Sequence, residues 1–347
     1  MSRFLTCGAL LTFSSLFACS AQAQRVTVDQ QQFVVSSGPG EHTAPRLLLF
    51  ISYFDALRAT ELEADLDYIA TDLKFDGIRV LPNWLQRDAS YCAIPNTDLL
   101  FDNAGNVRGD GPQASGALKR LLDVISAAKA RRLIVDVSFV RNAGMSGDAY
   151  VRAVTRTVAL LRPFGNVLID LQNEVDVNEL AEMDVKRLRD AILNEDPDRI
   201  VLVSRSGPVA DAVAYNGRLA MPAIAYHDGR EPGWETRVPQ VVAALRTARV
   251  PVYLQEPQAW NSGLRVCERT EGVNRESDGN PEHFRTAVAN AKSSGAAAWT
   301  FHTRQSFRLD SGGSLRNRIQ GNEAEKRLLE GTSDTPPLAA IARGRRE

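Results

Sequence analysis

Two apolar segments of the chain run into glutamate. Residues 166–172 (NVLIDLQ) lead into Asn173-Glu174, and residues 251–256 (PVYLQE) end in Glu256. Two glutamates at the ends of strands that share one mouth could hydrolyse an acetal. One carboxyl protonates the leaving oxygen, and the other attacks or supports the carbon where positive charge develops. A free glutamate, with a pKa of about 4.3, holds no proton near neutrality. An ionised neighbour raises that value by like-charge repulsion, so a close pair can divide the roles of acid and nucleophile. Asn-Glu also occurs at 178, 194 and 322, but there it falls in or beside helical segments, where a solvated face accounts for it. Singly, Glu174 or Glu256 could be a solvated strand edge; it is the pair that points to chemistry.

The elements that must position this pair alternate. Strands are expected at 46–54 (RLLLFISYF), 77–81 (GIRVL), 133–139 (LIVDVSF), 166–172, 200–204 (IVLVS), 223–227 (AIAYH), 251–256 and 296–301 (AAAWTF). Between and after them, apolar residues at helical spacing predict helices over 60–74, 116–131, 148–161, 178–195, 235–248, 282–293 and 322–329, with a short one after the fifth strand. Strands separated by helices imply right-handed crossovers and a parallel sheet. Eight such units in about 300 residues suit a (β/α)8 barrel of the TIM type. The rival, an open doubly wound sheet, would carry a Gly-rich phosphate turn after an early strand. No strand here is followed by G-x-G-x-x-G or G-x-x-x-x-G-K-[ST]. A single catalytic domain over 24–330, with long loops at one rim, and a Pro-containing tail over 331–347 are expected.

In such a barrel the chemistry sits where strands end. Those ends carry Asp55, Arg79, Trp84, Arg141, Asn173, Glu174, Arg205, Tyr226, His227, Glu256, Trp299 and His302. The four tryptophans, Trp84, Trp234, Trp260 and Trp299, all lie at or just beyond strand ends. Indole rings gathered at one rim make flat platforms for sugar rings, with the N–H free to bond hydroxyls. Equally, some could simply pack long loops. His302 reads as a hydrogen-bonded mouth residue, and His227 as the better candidate to touch sugar or nucleophile. Asp136 and Asp170 lie within strands as interior hydrogen-bonding groups, or turn outward.

Composition narrows the alternatives. The chain has 347 residues and a formal net charge of −1, with 44% hydrophobic residues. That is too apolar for disorder. Near-zero charge, with 35 Arg and 6 Lys dispersed along the chain, argues against a nucleic-acid binder. Four His, with no H-x-H or H-E-x-x-H, give little basis for a metal mechanism, and no cofactor is expected. Arg3, the apolar run 5–18 and Ala21-Gln22-Ala23 read as a signal peptide over 1–23, which predicts a secreted or periplasmic protein. Lipid anchoring through Cys19 is the alternative. The remaining cysteines, Cys92 and Cys267, lie in polar stretches of a chain whose compartment permits disulfides. They are expected to pair, with two unrelated thiols as the alternative. No later segment approaches a membrane span, and a monomer is expected.

These segments resemble the clan A retaining glycosidases, and within them the cellulase-like proteins of glycoside hydrolase family 5. The resemblance runs from ISYFDAL (51–57) to AWTFH (298–302), through GIRVLPNW (77–84), IDLQNE (169–174) and YLQE (253–256). It implies that Glu174 is the acid/base and Glu256 the nucleophile. Asn173 would bond the sugar 2-hydroxyl, Arg79 would flank the nucleophile, and Trp299 would be the eighth-strand platform. Trp84, Trp260, Tyr226 and His227 complete the expected substrate contacts. Two departures stand out. The family often ends its sixth strand in His-x-Tyr, whereas Tyr226 and His227 are adjacent here, and Glu256 is followed by Pro257. The expected function is retaining hydrolysis of a β-linked poly- or oligosaccharide. The alternatives are a non-catalytic carbohydrate-binding protein on the same barrel and a metal-dependent barrel hydrolase.

Overall fold

The computed structural model describes residues 24–38, 41–42, 45–84, 99–109, 116–227, 233–256, 281–303, 306, 313–321, 326 and 329. Several expectations fall outside these residues: the signal peptide 1–23, Cys92, Cys267, Trp260, the tail 331–347 and most of the closing helix 322–329.

Nine strands form one parallel sheet. They are β4 (Leu48–Ser52), β5 (Gly77–Val80), β6 (Ile134–Ser138), β7 (Val167–Asp170), β8 (Val201–Leu202), β9 (Ser204–Arg205), β10 (Ile224–Tyr226), β11 (Val252–Leu254) and β12 (Ala298–Phe301). Their order is β8-β7-β6-β5-β4-β12-β11-β10-β9. The first and last members are one segment interrupted at Val203. Its first half pairs with β7 and its second with β10, both parallel. The sheet is therefore an eight-stranded barrel that closes through residues 201–205. The strands are buried on both faces, as a parallel sheet under helices requires.

Helices follow the strands as expected: α1 (Leu62–Asp67), α2 (Ala117–Ala130), α3 (Gly147–Leu161), α4 (Glu182–Glu195), α5 (Val209–Leu219), α6 (Trp234–Leu245) and α7 (Pro281–Ser293); a short α8 (Leu315–Gln320), not expected from the sequence, comes after the last strand. The helix expected over 60–74 is α-helical only to Asp67 and then widens into a π-turn over Tyr68–Asp72. The helix expected from 178 starts at Glu182, because residues 174–180 turn at the barrel mouth.

Side chains alternate between two cores. One core lies between strands and helices and contains Leu49, Ile51, Val135, Val137, Trp299 and Phe301. The other fills the barrel and includes Leu48, Phe50, Ile134, Leu168, Leu202 and Tyr253. Val26, Phe33 and Val35 join the interior core from an antiparallel hairpin not expected from the sequence, β1 (Arg25–Asp29) and β2 (Gln32–Gly38), extended by β3 (Glu41–His42). The hairpin closes the barrel at the N-terminal ends of its strands and leaves the opposite end for chemistry. Gly77 faces this interior, where a Cβ would collide with the Phe50 ring and the Ile134 carbonyl.

Candidate active site

Interior positions change character toward the C-terminal ends of the strands. Above Ile134 on β6 come Asp136 and Ser138; above Leu168 on β7 comes Asp170; above Tyr253 on β11 comes Gln255. Each step is two residues, the strand period that keeps a side chain on one face. These groups converge on Arg79 of β5, which is fully buried. Its Nε donates to Ser138 Oγ at 2.9 Å, its Nη1 to Glu256 Oε1 and its Nη2 to Asn173 Oδ1. Asp136 and Asp170 lie farther off, at 3.6 and 3.8 Å. Phe54 covers the guanidinium, with its ring centroid 5.6 Å from Cζ.

One cation thus faces three buried carboxylates. Burial works against the charged Arg79, but Glu256, Asp136 and Asp170 outweigh it and raise its pKa. Burial pushes Asp136 up to about 6, with Arg79 holding it back and Asp170 adding to the rise. Asp170 is raised mainly by burial as well. Glu256 goes the other way. Burial opposes its charge, yet His227, His302 and Arg79 together hold its carboxyl well below the usual range. Glu256 is therefore the most acidic of the three carboxyls around Arg79.

Glu174 reaches the mouth by an uncommon backbone path. Its φ is +46°, in the left-handed region that side chains other than glycine rarely adopt. Neighbouring hydrogen bonds hold it there. Its N–H donates to Ser204 Oγ at 2.8 Å, and its carbonyl accepts from the N–H groups of Val177 and Asn178. Ser204 in turn donates through Oγ to Asp170 Oδ2 at 3.0 Å. Ser204 opens the second half of the split fifth strand, so the point where the barrel closes also fixes the backbone of Glu174.

The two glutamates meet at one ring nitrogen. His227 Nδ1 is 3.3 Å from Glu174 Oε1 and 3.6 Å from Glu256 Oε2. Its Nε2 lies 2.9 Å from Gln255 Oε1. Burial lowers the His227 pKa, but the flanking carboxylates of Glu256 and Glu174 outweigh it and the net shift is upward. His302 packs on Phe54, with ring centroids 5.2 Å apart.

No protein-family model matches the sequence, and neither does any curated protein. Solved structures do match. The catalytic domain of an endoglucanase from Thermobifida fusca superposes with a TM-score of 0.52 at 18% identity, covering 88% of this chain and 97% of that one. The fold is that of the cellulase-like glycoside hydrolases. A β-mannanase from the blue mussel Mytilus edulis matches with a TM-score of 0.52 at 13% identity, over 91% and 98% of the two chains. A Bacteroides vulgatus structure described as a glycoside hydrolase matches with a TM-score of 0.61 at 16% identity. That match covers 90% of this chain but 61% of the other, which is longer.

Within this cellulase-like barrel, Glu174, Glu256, Asn173, Arg79 and His227 come together. Trp84 stands beside them, partly buried, with its ring centroid 5.5 Å from that of Phe54 in an edge-to-face contact. Three residues expected at the rim do not reach the mouth. Trp299 alternates to the outer face of β12, is fully buried, and packs on Phe284 of α7 and on Phe301. It is a core residue rather than a platform. Trp234 is likewise fully buried against Phe284. Tyr226 also turns outward and donates its hydroxyl to the Gly207 carbonyl at 2.9 Å, so of the adjacent pair only His227 faces the glutamates. Trp299→Phe is accordingly expected to cost about 1–3 kcal/mol of stability and to leave carbohydrate affinity unchanged, as thermal melts and binding titrations would show.

Sequence reading passed over Gln255 and Ser138. It left Asp136 and Asp170 undecided between interior and exterior; both prove interior. The signal was available in their two-residue spacing from inward apolar neighbours. Among the described residues, no group of three or more His, Cys, Asp and Glu is arranged to hold a metal ion, and no helix is long and apolar enough to cross a membrane.

Proposed function

We propose that this protein is a retaining glycoside hydrolase acting on a β-linked poly- or oligosaccharide, with Glu174 as acid/base and Glu256 as nucleophile. The supporting observation is that two glutamates from different strands approach one imidazole nitrogen, while a buried arginine binds only one of them. That asymmetry separates their roles. Arg79 occupies Oε1 of Glu256, which leaves Oε2 to attack the anomeric carbon, while His227, His302 and Arg79 together favour the carboxylate form. As that bond forms, Glu174 gives its proton to the leaving oxygen. The sugar is then held as an ester of Glu256. Glu174, now a carboxylate, takes a proton from water, whose oxygen attacks the same carbon and releases Glu256. Asn173 has its Oδ1 held by Arg79, so its Nδ2 is directed to a sugar hydroxyl.

The geometry is compatible with retention. Oxygens lying 3.3 and 3.6 Å from a common nitrogen can be no farther apart than those distances laid end to end. This admits the separation of roughly 5–5.5 Å used by retaining pairs. A reducing-sugar screen over β-linked glucans and mannans, with Glu174→Ala as control, should find a substrate. Proton NMR of the first product should then show the anomeric configuration of the starting material; an inverted anomer would remove Glu256 from its role. We further propose that the protein acts after export, its leader removed.

The outward turn of Tyr226 favours a second reading, in which the barrel binds carbohydrate without cleaving it. Binding with no turnover on any glycan screened would support that reading.

A further inference from the structure

Gln255 joins the buried acids to the imidazole between the glutamates. Its Nε2 donates to Asp136 Oδ2 at 2.7 Å and to Ser138 Oγ at 3.3 Å. Ser138 has already committed its own hydrogen to Asp136 Oδ1, at 3.2 Å, and accepts from Arg79 Nε. Every group on that side of the amide therefore accepts, so the amide nitrogen must face it. The amide oxygen is left facing His227 Nε2 at 2.9 Å. An amide oxygen only accepts, so Nε2 must carry a hydrogen.

We infer that Gln255 is a positioning residue. It keeps a fixed proton on Nε2 of His227 and thereby makes Nδ1, the nitrogen facing both glutamates, the one that gains and loses a proton. The groups around the ring are Glu174 and Asp170 from β7 and its turn, Glu256 and Gln255 after β11, and Arg79 from β5. Among them only Glu174 and Glu256 approach Nδ1. Glu174 Oε1 is the nearer, at 3.3 Å against 3.6 Å for Glu256 Oε2, so the mobile proton passes between Nδ1 and Glu174. The imidazole is then charged while Glu174 is a carboxylate, and neutral once Glu174 holds the proton that it must give to the leaving oxygen. With the other tautomer, neutral His227 would present an N–H to Glu174 and could not take a proton back from it. The place of this step in catalysis rests on the hydrolase reading above, but the location of the proton does not.

The test is nitrogen NMR of the full chain labelled in histidine, with His227 assigned from a His227→Gln variant, across a pH titration. In the unaltered protein Nε2 should stay protonated throughout, while the Nδ1 resonance moves. Gln255→Met removes the acceptor at similar volume, and above the His227 pKa both ring nitrogens should shift to values averaged between two tautomers. Gln255→Glu restores an accepting oxygen toward Nε2, with a proton shared between its second oxygen and Asp136 Oδ2 in place of the amide hydrogen, and should restore the original signature. Thermal melts report whether each variant is folded. On an active substrate, Gln255→Met should lower kcat about 10- to 100-fold with little change in KM and a displaced pH profile, and Gln255→Glu should recover most of the loss. A Met variant with the unaltered ring signature, or a neutral His227 protonated on Nδ1 in the unaltered protein, would overturn the inference. Absence of turnover on every glycan would overturn the hydrolase reading alone, because the ring resonances are read without substrate.

Discussion

Glu256→Gln is expected to reduce turnover by on the order of 10⁴-fold or more, as removal of a nucleophile does in covalent catalysis, while glycan binding persists. The substitution keeps the side-chain volume and its hydrogen bond from Arg79 but removes the negative charge. No ester to the sugar can form efficiently, and the charge that would support a cationic sugar carbon is gone. The fold should survive. Arg79 loses one of three acidic neighbours but keeps Asp136 and Asp170, so the buried cation is not stranded. Comparing initial rates and binding isotherms of the two proteins checks this. Unchanged turnover would show that Glu256 does not bond the sugar. Absence of turnover in both, with binding intact, would support the carbohydrate-binding reading instead.

Arg79→Met is expected to be the most destabilising single change at the site, costing about 3–5 kcal/mol, the range for breaking a buried ion pair from one side. Methionine fills much of the same space, so the loss is electrostatic. Glu256, Asp136 and Asp170 would remain buried with no cation among them. Ser138 and Asn173 would lose their donors as well. The deficit should depend on pH, with a definite sign. Asp136, already pushed up to about 6, loses the charge that holds it back and rises further. An acid whose folded pKa exceeds its unfolded value contributes most stability below the unfolded pKa and loses it as pH climbs through the folded one. The variant's deficit should therefore be larger above about pH 7 than near about pH 5. Urea unfolding of both proteins at the two pH values measures it, and a pH-independent deficit would contradict the role of Asp136.

Much of this protein could be read locally. Eight apolar runs separated by helical patterns are short-range features, and a parallel barrel is the simplest structure that buries both faces of every strand. The positions of Glu174 and Glu256 followed from the same reading, because a charge that terminates an apolar run must leave the sheet at its end. The N-terminal hairpin was also legible, in the alternation of Val26 with Val28 and of Phe33 with Val35. Its two strands pair directly, without the helix that separates one barrel strand from the next.

What the sequence could not decide was direction. A strand end offers adjacent side chains to opposite faces, and a shift of one residue exchanges the two sets. Tyr226 and His227 are such neighbours, as are the alternating residues from Ala298 to His302. Closure of the barrel through residues 201–205 sets the register of all eight strands together. It sends Trp299 and Tyr226 to the helices, and turns His227, Gln255 and Asp136 inward. Residue types and their order determined the fold and the acidic pair. The tertiary structure decided which ring stands between the two glutamates and which buried acid lies behind it, because both depend on strands far apart in sequence meeting in one register.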